Sequence, residues 1–173
     1  MPEHVLDQLY VFAQVAGVFI GFAALVSALI THVNSSHGKA NLYSLAFTVI
    51  VSSHLMLLSF VPLVLMGFDL ESESLWWWSA LFAGVLEVFF VFLMMKVVPG
   101  IMEVHMHRKT SASISWIAEI GIVAALAAML LGLVPDIDDG LYLFILFCVL
   151  IQVVSSLVGY VVDNAVNGGQ GSD

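Results

Sequence analysis

The chain alternates between long apolar runs and short polar connectors. The apolar runs cover residues 9–31, 42–66, 76–98, 114–134 and 141–162. Each run is long enough for one helix to cross the roughly 30 Å of hydrocarbon in a bilayer, which takes about 20 residues. The pattern predicts an all-α fold, a polytopic integral membrane helical bundle with five transmembrane helices in one domain. The polar, glycine-rich residues 166–173 are expected to form a disordered tail.

The composition supports a membrane location. Apolar residues make up 61 % of the chain and charged residues 10 %, whereas soluble proteins have about 45–50 % and ~25 %. The net charge of −9 argues against nucleic acid and anionic headgroups as partners, because both bind basic patches. The N-terminus carries Glu3 and Asp7 but no basic region, so the first run is expected to be a retained helix and not a signal peptide.

Charge distribution predicts the orientation of the helices. The basic residues lie in or beside the first and third connectors, at Lys39, Lys96, Arg108 and Lys109. Acidic residues dominate the second and fourth connectors. The positive-inside rule therefore predicts an outside N-terminus and an inside C-terminus in the cell (cytoplasmic) membrane. Aromatic residues at the ends of the runs, Tyr142 among them, fit the membrane–water interface.

Two ionisable residues lie near the middle of apolar runs. His54 is 13 residues before Gly67 and Glu87 is 12 residues after Leu75, so an antiparallel hairpin places both at one depth. A charge at mid-bilayer costs on the order of 2.5–3.5 kcal/mol on insertion scales, and such residues commonly mark ion pathways. We interpret the pair as an ion pathway or proton relay; a hydrogen bond that fixes helix register is the structural alternative. Glu119, nearer the start of its run, is a further candidate for the pathway.

Other polar residues are expected to support this pair. A stripe of hydroxyl side chains follows the second run at Ser44, Thr48, Ser52 and Ser59. His54 lies on nearly the opposite face, so this helix should contact protein or water on both sides. Gln14 and Gln152 are supporting polar residues in the first and fifth runs. Pro62 removes one backbone hydrogen bond in the last third of the second run.

Small residues predict where helices pack closely. Gly17 and Gly21 form a GxxxG pair in the first run, and Gly84 shares a face with Glu87. Gly121 belongs to a seam of small residues in the fourth run, together with Ala118, Ala125, Ala128 and Gly132. Ser113 is a candidate N-cap for that run.

The motifs of common enzyme classes do not occur in the sequence, and we expect neither a cofactor nor a resident metal. His105 and His107 form an HxH pair, but two ligands cannot close a metal site. The single cysteine, Cys148, excludes an internal disulfide. We predict a homo-oligomeric channel or transporter for small cations or protons that uses a mid-membrane carboxylate. The alternatives are a non-catalytic subunit of a larger complex, and a haem or redox protein with His54 as an axial ligand.

Overall fold

The computed structural model describes residues 3–30, 38–96, 109–134 and 137–168. In these ranges the chain forms five helices: α1 (Glu3–Ile30), α2 (Gly38–Met66), α3 (Ser72–Lys96), α4 (Lys109–Leu130) and α5 (Asp138–Gly168). All five are long and apolar enough to cross a membrane. The all-helical class and the five candidate spans are thus confirmed for the described residues.

Helix ends differ from the ends of the apolar runs. α4 begins at Lys109, so Ser113 lies inside the helix and is not its N-cap. α5 continues to Gly168, three residues into the region predicted to be a tail. Polar residues extend these helices because backbone hydrogen bonding does not stop where the apolar pattern stops. The HxH pair, Arg108 and residues 169–173 lie outside the described residues.

A glycine ends α4. Gly132 has a φ of 62°, a left-handed conformation that glycine adopts without steric cost. The amide of Leu133 donates to the carbonyl of Ala128 (3.0 Å), and the amide of Gly132 donates to that of Met129 (3.1 Å). This is the Schellman arrangement of a helix C-terminus. Gly132 therefore ends the helix and does not continue the predicted seam.

Helices α2 to α5 form a closed ring in which each contacts the next and α5 contacts α2; α1 packs outside this ring, mainly on α2. Short connections make α2 and α3, and likewise α4 and α5, antiparallel neighbours. Helices α2 and α4 begin at the same end of the ring. We call it the basic end, because Lys39, Lys96 and Lys109 lie there in the sequence. The opposite end, near Asp69 and Glu71, is the acidic end.

The core lies mainly between α2 and α5. Leu55 and Leu58 of α2 pack there with Ile145, Leu146 and Val149 of α5, and all five are fully buried. Thr48, Ser52 and Ser59 are also fully buried, and His54 is 6 % exposed. The prediction that α2 contacts protein or water on both polar faces is thus confirmed, and on both faces the contact is with protein.

One hydrogen bond near the acidic end repairs a backbone defect. Pro62 has no N–H, so the carbonyl of Leu58 lacks its normal helical partner. The Oη atom of Tyr142 in α5 donates to that carbonyl at 2.8 Å. Tyr142 is fully buried, and its ring lies 5.6 Å from that of Trp76. We call this contact the Tyr142 clamp; it joins α5 to α2 and places α3 against both.

Candidate functional site

Each of the four ring helices contributes one polar side chain to a single connected group. His54 Nε2 of α2 lies 2.9 Å from Glu87 Oε2 of α3. The Glu87 carboxyl lies within hydrogen-bonding reach of the Glu119 carboxyl of α4. Gln152 Nε2 of α5 donates to Glu119 Oε2 at 3.1 Å. We call these four residues the polar layer.

Helix register explains why these residues meet. In the α2–α3 hairpin, His54 and Glu87 lie at the same level, as their distances from the connector predicted. Between α3 and α4, Trp77 Nε1 donates to the carbonyl of Leu130 at 3.4 Å. Moving ten residues along α3 from Trp77 and eleven back along α4 from Leu130 reaches Glu87 and Glu119. Both contacts therefore fit one antiparallel register.

Glu119 lies deeper in the bundle than its position in the apolar run suggested. The run begins at Ile114, but α4 begins at Lys109, which is ten residues before Glu119. At about 1.5 Å per residue, Glu119 is roughly 15 Å from the helix start. The sequence identified this residue as a candidate, and the structure brings it beside Glu87 and into a hydrogen bond with Gln152.

Burial separates most of the layer from the outer surface of the chain. His54 and Glu87 are each 6 % exposed and Gln152 is 4 % exposed, whereas Glu119 is partly exposed. The imidazole of His54 also packs against Phe90, with 4.5 Å between ring centroids. The His54–Glu87 pair is thus enclosed within one chain, between α2 and α3, and does not lie on an outward face.

Simple charge counting shows what the layer can hold. Two adjacent carboxylates repel each other strongly in a nonpolar site, so such a pair shares a proton. The trio of His54, Glu87 and Glu119 is electrically neutral when it holds two protons in addition to the one N–H proton of a neutral imidazole: one between the imidazole and Glu87, the other between the two carboxyls. The Gln152 amide donates to Glu119 without titrating. The layer therefore brings three protonatable side chains together within one chain.

A second set of hydroxyl groups lies beside the layer at the α2–α5 contact. Thr48 Oγ1 and Ser156 Oγ are 3.1 Å apart. One turn further toward the acidic end, Ser52 and Gln152 occupy the facing positions, because helix residues four apart share a face. Ser52 is fully buried, and its hydroxyl has no partner among the described residues. Ser79, also buried and without such a partner, lies two turns from the layer on α3.

The predicted small-residue face of α1 is turned away from the bundle. Gln14, Gly17 and Gly21 are exposed, and a Cβ atom added at either glycine meets nothing within 4 Å. Within the chain, α1 instead buries Ala13 and Ala16. Packing of the two glycines against another chain stays a prediction.

The remaining two candidate packing glycines differ from each other. A Cβ atom at Gly121 lies 3.3 Å from Cys148 Sγ and 3.4 Å from Phe144 Cε1, so this glycine lies at the α4–α5 contact. A Cβ atom at Gly84 meets nothing within 4 Å. Of the four glycines predicted to pack helices together, only Gly121 therefore lies at a close helix contact in the described part of the chain.

In the ranges that the structure describes, no group of three or more His, Cys, Asp or Glu residues is placed to hold a metal ion. The Nε2 atom of His54, one of the two ring nitrogens able to bind a haem iron, is hydrogen-bonded to Glu87. The haem alternative stays a prediction.

Comparison with known proteins gives no match, whether with protein-family models, with curated proteins or with solved structures.

Proposed function

We propose that this is a membrane protein that moves protons, and that the polar layer is its relay. The observation that carries the proposal is the hydrogen bond between His54 and Glu87 at 2.9 Å inside apolar helices, with the carboxyl of Glu119 within hydrogen-bonding reach of Glu87. Ionisable residues in membrane helices typically mark ion pathways or proton relays. Here they are paired with one another across three helices, which is the arrangement that a relay needs.

Proton transfer through the layer balances at every step. A proton that arrives at Glu119 takes the place of the one shared with Glu87. Glu87 then passes a proton to Nε2 of His54, and the imidazole releases one from Nδ1. Each step breaks one O–H or N–H bond as the next forms, so the layer returns to its starting charge. A flip of the imidazole ring or an exchange of its tautomers then frees the nitrogen that faces Glu87 for the next transfer. Gln152 keeps the Glu119 carboxyl in place through its amide.

The contacts favour protons over other small cations. A metal cation needs several oxygen ligands that converge on one point. In the layer, the Oε2 atoms of Glu87 and Glu119 are already engaged by His54 and Gln152 at 2.9 Å and 3.1 Å. Protons move along such hydrogen bonds, whereas a larger cation would have to break them. Of the two predicted substrates, protons are thus the better supported.

The proposal includes the location and assembly of the chain. We propose the cytoplasmic membrane, with the N-terminus outside and the basic end inside, because the basic residues of the connectors lie at that end. Because Glu87 is buried within one chain, each subunit of a homo-oligomer would hold its own relay. This favours separate relays over one shared pore at a symmetry axis.

Proton flux into liposomes tests the proposal. The purified protein is reconstituted with an internal pH-sensitive dye, and a potassium diffusion potential drives proton movement. We expect flux well above that of empty liposomes, and flux near background for Glu87→Gln, which keeps the shape of the side chain but cannot exchange a proton. Glu71→Gln removes an exposed carboxylate and should leave the flux close to that of the unmodified protein. Equal flux for all three proteins would remove Glu87 from the mechanism.

A second candidate function is a non-catalytic subunit that assembles with other helices. The observation in its favour is the outward-facing Gly17 and Gly21, which leave room for another backbone to approach. Purification from native membranes distinguishes the two functions. A second polypeptide at fixed stoichiometry that is lost in Gly17→Leu supports the subunit function; a homo-oligomer that conducts protons opposes it.

A further inference from the structure

The hydroxyl of Ser52 differs from those of its neighbours on α2. Ser53 donates to the carbonyl of Val49, and Ser59 donates to that of Leu55, both at 2.8 Å. Such bonds to a carbonyl four residues earlier are the usual way for a buried helical serine to satisfy its hydroxyl. Ser52 is fully buried and makes no hydrogen bond to any described residue. Its hydroxyl is therefore available to a ligand.

The α2–α5 register places this hydroxyl beside the polar layer. The contacts Thr48–Ser156 and Leu58–Tyr142 show that α2 and α5 run antiparallel, because the residue number rises along α2 as it falls along α5. Ser52 is one turn after Thr48, and Gln152 is one turn before Ser156. Ser52 and Gln152 thus face each other across the contact, and Gln152 donates to Glu119.

We propose that Ser52 and Gln152 hold an internal water molecule, and that this water carries protons between Glu119 and the basic end of the bundle. The inference rests on the proposed proton relay and extends it by one site. A buried water needs two to four polar partners. The Ser52 hydroxyl can donate and accept, the Gln152 amide oxygen can accept, and the Thr48–Ser156 pair lies only one turn away, or about 6 Å along the helix axis.

The water molecule passes a proton on and is itself unchanged after each transfer. It accepts a proton from the side of the basic end and releases a different one to the Glu119 carboxyl, so one O–H bond forms as another breaks. Ser52 holds the water through one hydrogen bond and does not itself ionise. The group that this site binds is therefore water, and the proton is the transported species.

Proton flux in liposomes compares two adjacent serines. We expect Ser52→Ala to lower the flux on the order of tenfold, since a positioned proton carrier typically contributes at least that much. Ser53→Ala is the matched control, because it removes a hydroxyl that is already satisfied by its own helix. Equal flux in the two variants, with Glu87→Gln still inactive, would overturn the water site and leave the relay intact.

A structure at a resolution that shows ordered water gives a readout independent of transport. We expect density within about 3.2 Å of Ser52 Oγ and close to the Gln152 amide. This density should disappear in Ser52→Ala and persist in Ser53→Ala. A Ser52 hydroxyl bonded only to protein atoms would contradict the inference, even for a protein that conducts protons. Absence of flux in the unmodified protein, with the water present, would instead overturn the proposed function alone.

Discussion

The polar layer and the Tyr142 clamp both place polar groups in an apolar core, but they pair them differently. In the clamp, a hydroxyl donates to the Leu58 carbonyl, which Pro62 leaves without a helical partner. In the layer, the side chains of His54, Glu87 and Glu119 pair with one another, and the helix backbone there needs no repair. The Tyr142 clamp satisfies a backbone carbonyl that would otherwise have no donor. The polar layer satisfies no such backbone group.

The free energies of the two kinds of contact also differ. An unsatisfied backbone group in hydrocarbon costs several kcal/mol, so the clamp offsets a real defect. A hydrogen bond between side chains in a membrane protein contributes only about 0.6 kcal/mol on average. Placing an ionisable group at mid-bilayer costs about 2.5–3.5 kcal/mol on insertion scales. Leucines at the layer positions would therefore serve stability better, which is why we assign function to the layer and stability to the clamp.

The largest effect that separates the two regions is expected for Glu119→Gln. The amide keeps the size of the side chain but cannot pass on a proton, so flux should fall on the order of 100-fold, within the range typical of general acid–base groups. The thermal midpoint should change little. Liposome flux checks the first point and thermal unfolding in detergent the second. Flux equal to that of Glu71→Gln would exclude Glu119 from the relay.

Tyr142→Phe should show the opposite behaviour. Loss of the hydroxyl leaves the Leu58 carbonyl unsatisfied, which we expect to lower the free energy of unfolding by about 1–3 kcal/mol, while flux per folded molecule is retained. Denaturant unfolding in micelles measures this loss.

A double-mutant cycle sharpens that prediction. Pro62→Ala restores the amide that can donate to Leu58, so Tyr142→Phe should cost less in that background. Equal losses in both backgrounds would show that the proline is not the reason for the clamp.

The smallest effect is expected at the α4–α5 contact, next to Glu119. A Cβ atom at Gly121 lies 3.3 Å from Cys148 Sγ, tight enough to push the helices slightly apart. We expect Gly121→Ala to lower the free energy of unfolding by about 1 kcal/mol or less, and to lower flux modestly as Glu119 shifts from Gln152. Gly84→Ala is the control, because its Cβ meets open space. A larger loss in the control would contradict the assigned packing.

The sequence was sufficient to predict the five helices and the pairing of His54 with Glu87. Hydrophobic runs identify membrane helices directly, and counting residues from a short connector gives depth in a hairpin. The level of Glu119 could not be obtained in this way. Its helix begins among polar residues before Ile114, and its position relative to Glu87 depends on the α3–α4 register, which spans a long connector.

The roles of Tyr142 and Ser52 also depended on the three-dimensional structure. Pro62 identifies Leu58 as the carbonyl that needs a donor, but nothing in the sequence says which helix supplies it. The missing partner of Ser52 is a matter of side-chain orientation, since Ser53 and Ser59 have the same residue type and satisfy their hydroxyls locally. Such differences arise from packing, which periodicity does not encode.

The polar layer is proposed to hold protons that exchange with water. Infrared spectroscopy of the reconstituted protein at neutral pH can detect such protons through the carboxyl C=O band of a protonated side chain. We predict a band that shifts in D₂O and is lost in Glu119→Gln but not in Glu71→Gln. A spectrum with no such band, or with one that does not respond to D₂O, would mean that the layer holds no exchangeable proton.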